Sequence, residues 1–370
     1  MRSMATSMRI TRRTLLAAGT AALFAGETAR ADAGGRYLSA AARFTGRYAV
    51  VAVDEDGEIA FDLDLGDRGH GVAVRPGSGE ALCFARRPGR FALVLDTLAG
   101  AVVTEIPAAP SRHFSGHGLF VQGGELLLAT ENDEVRHEGV IGIYDARANY
   151  ARIDEFPTFG IGPHDLALLP DGKTLVVANG GIDKRHDDTG GRELADIRSD
   201  LVYLDWQSQR LLERAVLESQ YTRLSIRHLA LTEAGDVAAA LQDSADVPDL
   251  DFPLGFLHRP GSAPRWLAAP DGGWGRLRGY CGAAAADRAA GVVAMSSPRG
   301  NCVGLWDEGG AALEALAIHD GCGLSATGTS GEILISSGSG ELFSATRETK
   351  EPALRGANGE FRFDNHMVRI

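Results

Sequence analysis

The sequence predicts an all-β protein, a seven-bladed β-propeller closed by its C-terminal strand joining the N-terminal blade. Three observations carry that expectation. Seven short segments begin with His or Cys and run into an apolar strand: His70-Gly-Val-Ala-Val, His117-Gly-Leu-Phe-Val, His164-Asp-Leu-Ala-Leu, His228-Leu-Ala-Leu, Cys281-Gly-Ala-Ala-Ala, Cys322-Gly-Leu-Ser-Ala and His366-Met-Val. From His70 to His366 they recur at intervals of 47, 47, 64, 53, 41 and 44 residues, and a period of roughly 40–50 residues marks propeller blades. No amphipathic helix of ordinary length follows residue 31, which argues against a two-domain α/β arrangement.

Each unit supplies four strands. Blades are numbered here from His70. In blade three, His164-Asp-Leu-Ala-Leu-Leu leads through the turn Pro170-Asp-Gly-Lys into Thr174-Leu-Val-Val-Ala. In blade four, His228-Leu-Ala-Leu passes Thr232-Glu-Ala-Gly-Asp before Val237-Ala-Ala-Ala-Leu. Such turn clusters between short β-rich runs are hairpin signals. A third strand ends in aspartate at Asp96, Asp145, Asp205 and Asp307, and a fourth follows, as in Val102-Val-Thr-Glu-Ile. The ends are complementary. Residues 36–65 hold three strands with no preceding His strand, and His366-Met-Val-Arg-Ile is a lone first strand. Pairing them makes blade seven and leaves no open sheet edge.

Residues 1–31 read as a twin-arginine export signal and not as fold. Thr11-Arg12-Arg13-Thr14-Leu15-Leu16 precedes an Ala-rich apolar stretch, and Ala29-Arg30-Ala31 offers a small-residue cleavage site. The apolar run is about half the roughly 20 residues that span a bilayer. The expectation is a periplasmic protein whose single propeller domain covers residues 36–370. Without residues 1–31 the formal charge moves from -12 to -16, because five Arg and one Glu leave. So acidic a chain is a poor partner for nucleic acid or an anionic membrane, and no later segment is long and apolar enough to span one. None of the four Cys shows C-x-x-C spacing, so zinc-ribbon, thioredoxin-like and c-type haem sites have no support.

The recurring residue is itself chemical. The first strand of a propeller blade lines the central channel, so equivalent positions near its start form a ring at one mouth. Five of the ten His, namely His70, His117, His164, His228 and His366, fall at that position, and Cys281 and Cys322 occupy the other two. Imidazole and thiolate are transition-metal ligands, so the set is a candidate site for iron or copper. Cys281 and Cys322 are alternatively a disulfide, if their Cα atoms come within about 7 Å. Polar loops between second and third strands surround the same mouth. Arg86, Arg87, Arg227 and Arg299 suit an anion or carboxylate, while Glu131, Asn132 and the long blade-three loop with His186 are further ligand candidates. Arg227 beside His228 is expected to lower the imidazole pKa and keep it neutral.

Gly162-Pro-His164-Asp, Val176-Val-Ala-Asn-Gly-Gly-Ile182, His186 with Gly190-Gly-Arg192-Glu-Leu, and Leu224-Ser-Ile-Arg-His228-Leu-Ala complete the pattern. Together with the export signal they resemble a family of twin-arginine-exported bacterial β-propeller proteins of unknown function. The likeness runs over nearly the whole mature chain. It implies a place beside imelysin-like and di-haem peroxidase-like periplasmic proteins in iron-responsive gene clusters, hence periplasmic iron or copper handling. Two other readings stay open: an interaction scaffold whose His ring is structural, and a lactonase- or lyase-type enzyme with a divalent ion in the central funnel.

Overall fold

The alternating runs become seven four-stranded sheets in the computed structural model, which describes residues 35–182 and 197–370. The expected export signal and His186 lie outside the described residues. Six sheets are consecutive antiparallel meanders. Blade one, for example, runs Gly69–Val74, Glu80–Ala85, Phe91–Asp96 and Ala101–Pro107 from channel to rim. In the seventh, the C-terminal strand Phe361–Arg369 pairs antiparallel with Arg36–Arg43, and Tyr48–Asp54 and Ile59–Leu65 follow outward. Tyr37 faces Arg369 there, and Ser39 faces Met367. Inner strands touch in cyclic order, and Phe361–Arg369 meets both Gly69–Val74 and Gly321–Ala326. The ring is closed as the sequence predicts. No helix among the described residues is long and apolar enough to cross a membrane.

The core is a series of layers between blades. Leu82, Phe84, Phe114 and Tyr144 fill the layer between blades one and two, and Leu128, Ile141, Val177 and Val202 the next. Second strands are buried on both faces, as in Glu80–Ala85 and Leu126–Asp133, so their sequences are nearly continuous apolar runs rather than alternating ones. The aspartates that end third strands build the rim turns. Asp96 Oδ1 accepts from the Leu98 and Ala99 amides, and Asp205 Oδ1 accepts from those of Gln207 and Ser208. A short carboxylate bonding its own chain two and three residues on fixes the turn.

One device positions the site. In six blades the ladder between first and second strands slips at or beside the His or Cys. In blade one the register breaks between Gly69 and Val72, around His70; in blade four it breaks between Ile226 and His228. A β-bulge bends its strand and re-aims a side chain. Here the bulges turn the histidines toward the axis.

Candidate metal centre

The five histidines converge on the mouth of the channel. Four are buried, with 5% of His70, 8% of His117, 8% of His164 and 3% of His228 accessible; His366 is half-buried. Ring centroids of neighbouring blades lie 4.5 Å apart for His366 and His70, 5.0 Å for His70 and His117, 5.2 Å for His117 and His164, and 4.7 Å for His164 and His228. The cluster also closes across the axis, with His228 and His366 at 4.6 Å. A wide ring around an open channel is therefore replaced by one packed group.

Glycine makes that approach possible. A Cβ on Gly71 would sit 2.3 Å from the Gly116 carbonyl oxygen and 3.0 Å from His117 Nδ1. One on Gly116, whose φ is +107°, would meet His70 Cδ2 at 2.7 Å. The small residue beside each of these histidines is thus a packing requirement.

Among the described residues, two triads have ligand atoms all within 4.8 Å of one another: His70, His117 and His366, and His117, His164 and His228. His117 belongs to both. Carboxylates set two of the rings. Asp364 Oδ1 lies 3.3 Å from His70 Nδ1, and Asp165 Oδ1 lies 3.3 Å from His117 Nδ1. A carboxylate on one ring nitrogen fixes the tautomer and leaves the other nitrogen basic for a metal. That other nitrogen of His117, Nε2, is buried without a hydrogen-bond partner among the described residues, as are His164 Nδ1, His228 Nδ1 and His366 Nε2. Buried polar atoms are normally paired, so four such nitrogens at one place make the cluster a candidate ligand site.

The electrostatics keep the donors neutral. Burial pushes His117, His164, His228 and His366 well below the ordinary 6.5, and mutual proximity of the rings adds to it. Arg227 acts in the expected direction on His228, after burial, His366 and His70. Burial also lowers His70, partly offset by Asp364. For Asp364 burial alone would raise the carboxyl, but His70, Arg68 and the Asn365 amide together hold it well below its ordinary value; Arg68 Nε donates to it at 2.6 Å. Burial raises Asp165 to about 7 against the amides of Leu229 and Leu166.

The two thiols do not join the cluster, which corrects the seven-membered ring. Cys281 packs in the apolar layer with Met295 and Trp306, and Cys322 packs with Leu334 and Phe361. Cys322 Sγ approaches the Phe363 carbonyl at 3.4 Å. Both are free, so the disulfide alternative also falls. Burial lifts Cys322 to about 12 and Cys281 higher; a protonated thiol behaves as a small apolar side chain.

Above the imidazoles a cavity of about 310 Å³ is lined by Arg86, Arg87, Arg227 and Arg299 together with His70, His164 and His228. The loop arginines thus share the mouth with the histidines. Glu131 does not. It is buried inside blade two, where its carboxylate accepts from Tyr144 Oη at 2.5 Å and Arg152 Nη2 at 2.8 Å. Asn132 sits one step behind the wall and donates to Ser115 Oγ at 2.6 Å. Successive strand residues face opposite ways, so adjacent Glu131 and Asn132 cannot both reach the mouth. Sequence reasoning missed Asp165, Asp364, Tyr280 and Asn365. A signal existed for three of them: Asp165 stands where His70, His117, Cys281 and Cys322 are followed by Gly, while Tyr280 and Asn365 hold the position taken by Arg227 before His228.

Fold and site together define a seven-bladed propeller with a five-imidazole cluster on its axis and a cationic mouth. Residues 63–370 match the family described as "Protein of unknown function (DUF1513)", and the chain belongs to it. No curated protein matches the sequence. Among solved structures the chain is similar to hydrazine synthase of Kuenenia stuttgartiensis, at 15% identity and a TM-score of 0.46, over 81% of this chain and 71% of that one.

Proposed function

We propose that this is an exported metal-binding propeller that holds iron or copper in the imidazole cluster and serves as an accessory or redox partner in metal acquisition. The observation that carries the reading is the pair of triads sharing His117, with ligand atoms within 4.8 Å and buried ring nitrogens that lack partners among the described residues. An all-imidazole donor set suits copper, iron, zinc and nickel, and Cu²⁺ leads the order of affinities. Iron and copper also offer two oxidation states, which zinc lacks. The twin-arginine pattern, and the resemblance to exported propellers set beside imelysin-like and di-haem proteins, favour periplasmic handling of these two metals.

Protein purified from the periplasm is expected to carry iron or copper by elemental analysis. The variant H117A/H164A/H228A should lose it, whereas H113A, a histidine paired with Glu134 outside the cluster, should keep it. Unchanged metal content in the triple variant would sink the proposal. A purely structural cluster instead requires metal-free wild-type protein and a large loss of stability on the same substitutions.

A further inference from the structure

We infer that the mouth above the cluster takes a small dicarboxylate that coordinates the bound metal with one end and pairs with Arg86 and Arg299 with the other. The inference rests on the metal reading above and names the ligand class of that same site. Arg86 and Arg299 are exposed residues of blades one and five, and both line the cavity whose floor is His70, His164 and His228. Neither forms an ion pair among the described residues, although this is an acidic protein whose other arginines commonly do. Arg299 is nonetheless held in place, its guanidinium 4.7 Å over the Tyr280 ring.

A neutral donor completes the wall. Asn365 Nδ2 donates to Tyr280 Oη at 2.7 Å, which leaves the phenol hydrogen for an acceptor in the cavity. Two planar guanidinium forks and one hydroxyl suit carboxylate oxygens, since guanidinium binds carboxylate in bidentate fashion. Size decides between one anionic group and two. The cavity of about 310 Å³ holds on the order of ten waters at roughly 30 Å³ each, more than a single tetrahedral oxyanion fills. An anion able to touch both floor and rim needs two charged ends on a short spacer. Buried neutral imidazoles supply no charge to balance a cation, and a dianion does so directly.

The test uses the mature protein, metal-free and loaded with Cu²⁺, with malonate and inorganic phosphate as probes in calorimetric titrations. Malonate is expected to bind the copper form at least tenfold tighter than the metal-free form and to shift the copper visible absorption band. R86Q/R299Q should weaken malonate at least tenfold while copper content and thermal midpoint stay at wild-type values. Malonate binding unchanged in R86Q/R299Q overturns the inference, as does an absorption band that malonate leaves in place. Phosphate binding as tight as malonate, with the same arginine dependence, overturns the dicarboxylate class. If copper fails to bind while malonate binding persists and depends on the arginines, the metal reading falls and the arginine site stands without its metal end.

Discussion

His228 and His366 belong to blades three places apart in the ring, yet their imidazole centroids lie 4.6 Å from each other. Strands on opposite sides of a channel can bring side chains that close only where the channel is nearly shut. Bulged inner strands and glycines without Cβ atoms achieve that here. The relationship leads to four expectations.

Gly71→Ala should disturb fold and centre together, because its methyl would lie 2.3 Å from the Gly116 carbonyl oxygen and 3.0 Å from His117 Nδ1. Overpacking of this kind costs about 1–3 kcal/mol. Gly66→Ala is the control, with nothing within 4 Å of its added methyl. Urea denaturation should separate the two; equal midpoints would contradict the close packing.

Acid should destabilise the metal-free protein through the cluster. His117, His164, His228 and His366 are held well below 6.5 in the fold. As pH falls through 6.5 the unfolded chain takes up protons that the folded chain refuses, so stability drops with falling pH. Asp165, raised by burial to about 7, and Asp200, raised by burial to about 6, work the other way. Their contribution is complete below the ordinary 3.8 and fades as pH rises through those native values. His70, His113 and His258 are lowered by burial as well and Asp320 is raised by it, so seven imidazoles outweigh three carboxyls. Urea midpoints should fall from pH 6.5 to about 5, with a shallower slope in H164Q/H228Q. An identical slope in that variant would remove the cluster as the cause.

Asp364→Asn should weaken metal binding without removing a ligand. The carboxylate orients His70 at 3.3 Å and is itself held by Arg68. Loss of such an outer partner costs about 10–100-fold in metal affinity. Competition with a chromogenic chelator would measure it, and unchanged affinity would assign Asp364 a purely structural part.

Cys281→Ala and Cys322→Ala should retain wild-type metal content, since both thiols lie in apolar layers between blades. Elemental analysis of the double variant is decisive: metal lost along with the thiols would contradict their placement.

The blade count, strand order and closing strand were legible because a turn-strand grammar repeats at nearly constant spacing, and strand alternation is a local property. The convergence of five histidines followed from one shared position in that repeat. The thiols at the same sequence position were misread for a physical reason. Cys322 sits at a bulge, where side-chain direction depends on ladder register, whereas Cys281 precedes a ladder that runs without a slip. No residue type announces whether a cysteine turns to the axis or into the layer beside it. Glu131 failed similarly: a charged residue next to a loop looks exposed until Arg152 and Tyr144, from neighbouring strands, are seen to hold it. Asp165 was visible as a departure from the recurring glycine, but only the fold sets it against His117.

The strand Phe361–Arg369 carries Asp364 and His366 and is seated against Arg36–Arg43. The centre is therefore assembled from blades one to four and the two ends of the propeller at once. An ion held by all of them would work as a drawstring: opening any of those seams pulls a donor away, and filling the cluster tightens the whole circle. Removing the final strand would take with it both the latch and part of the knot.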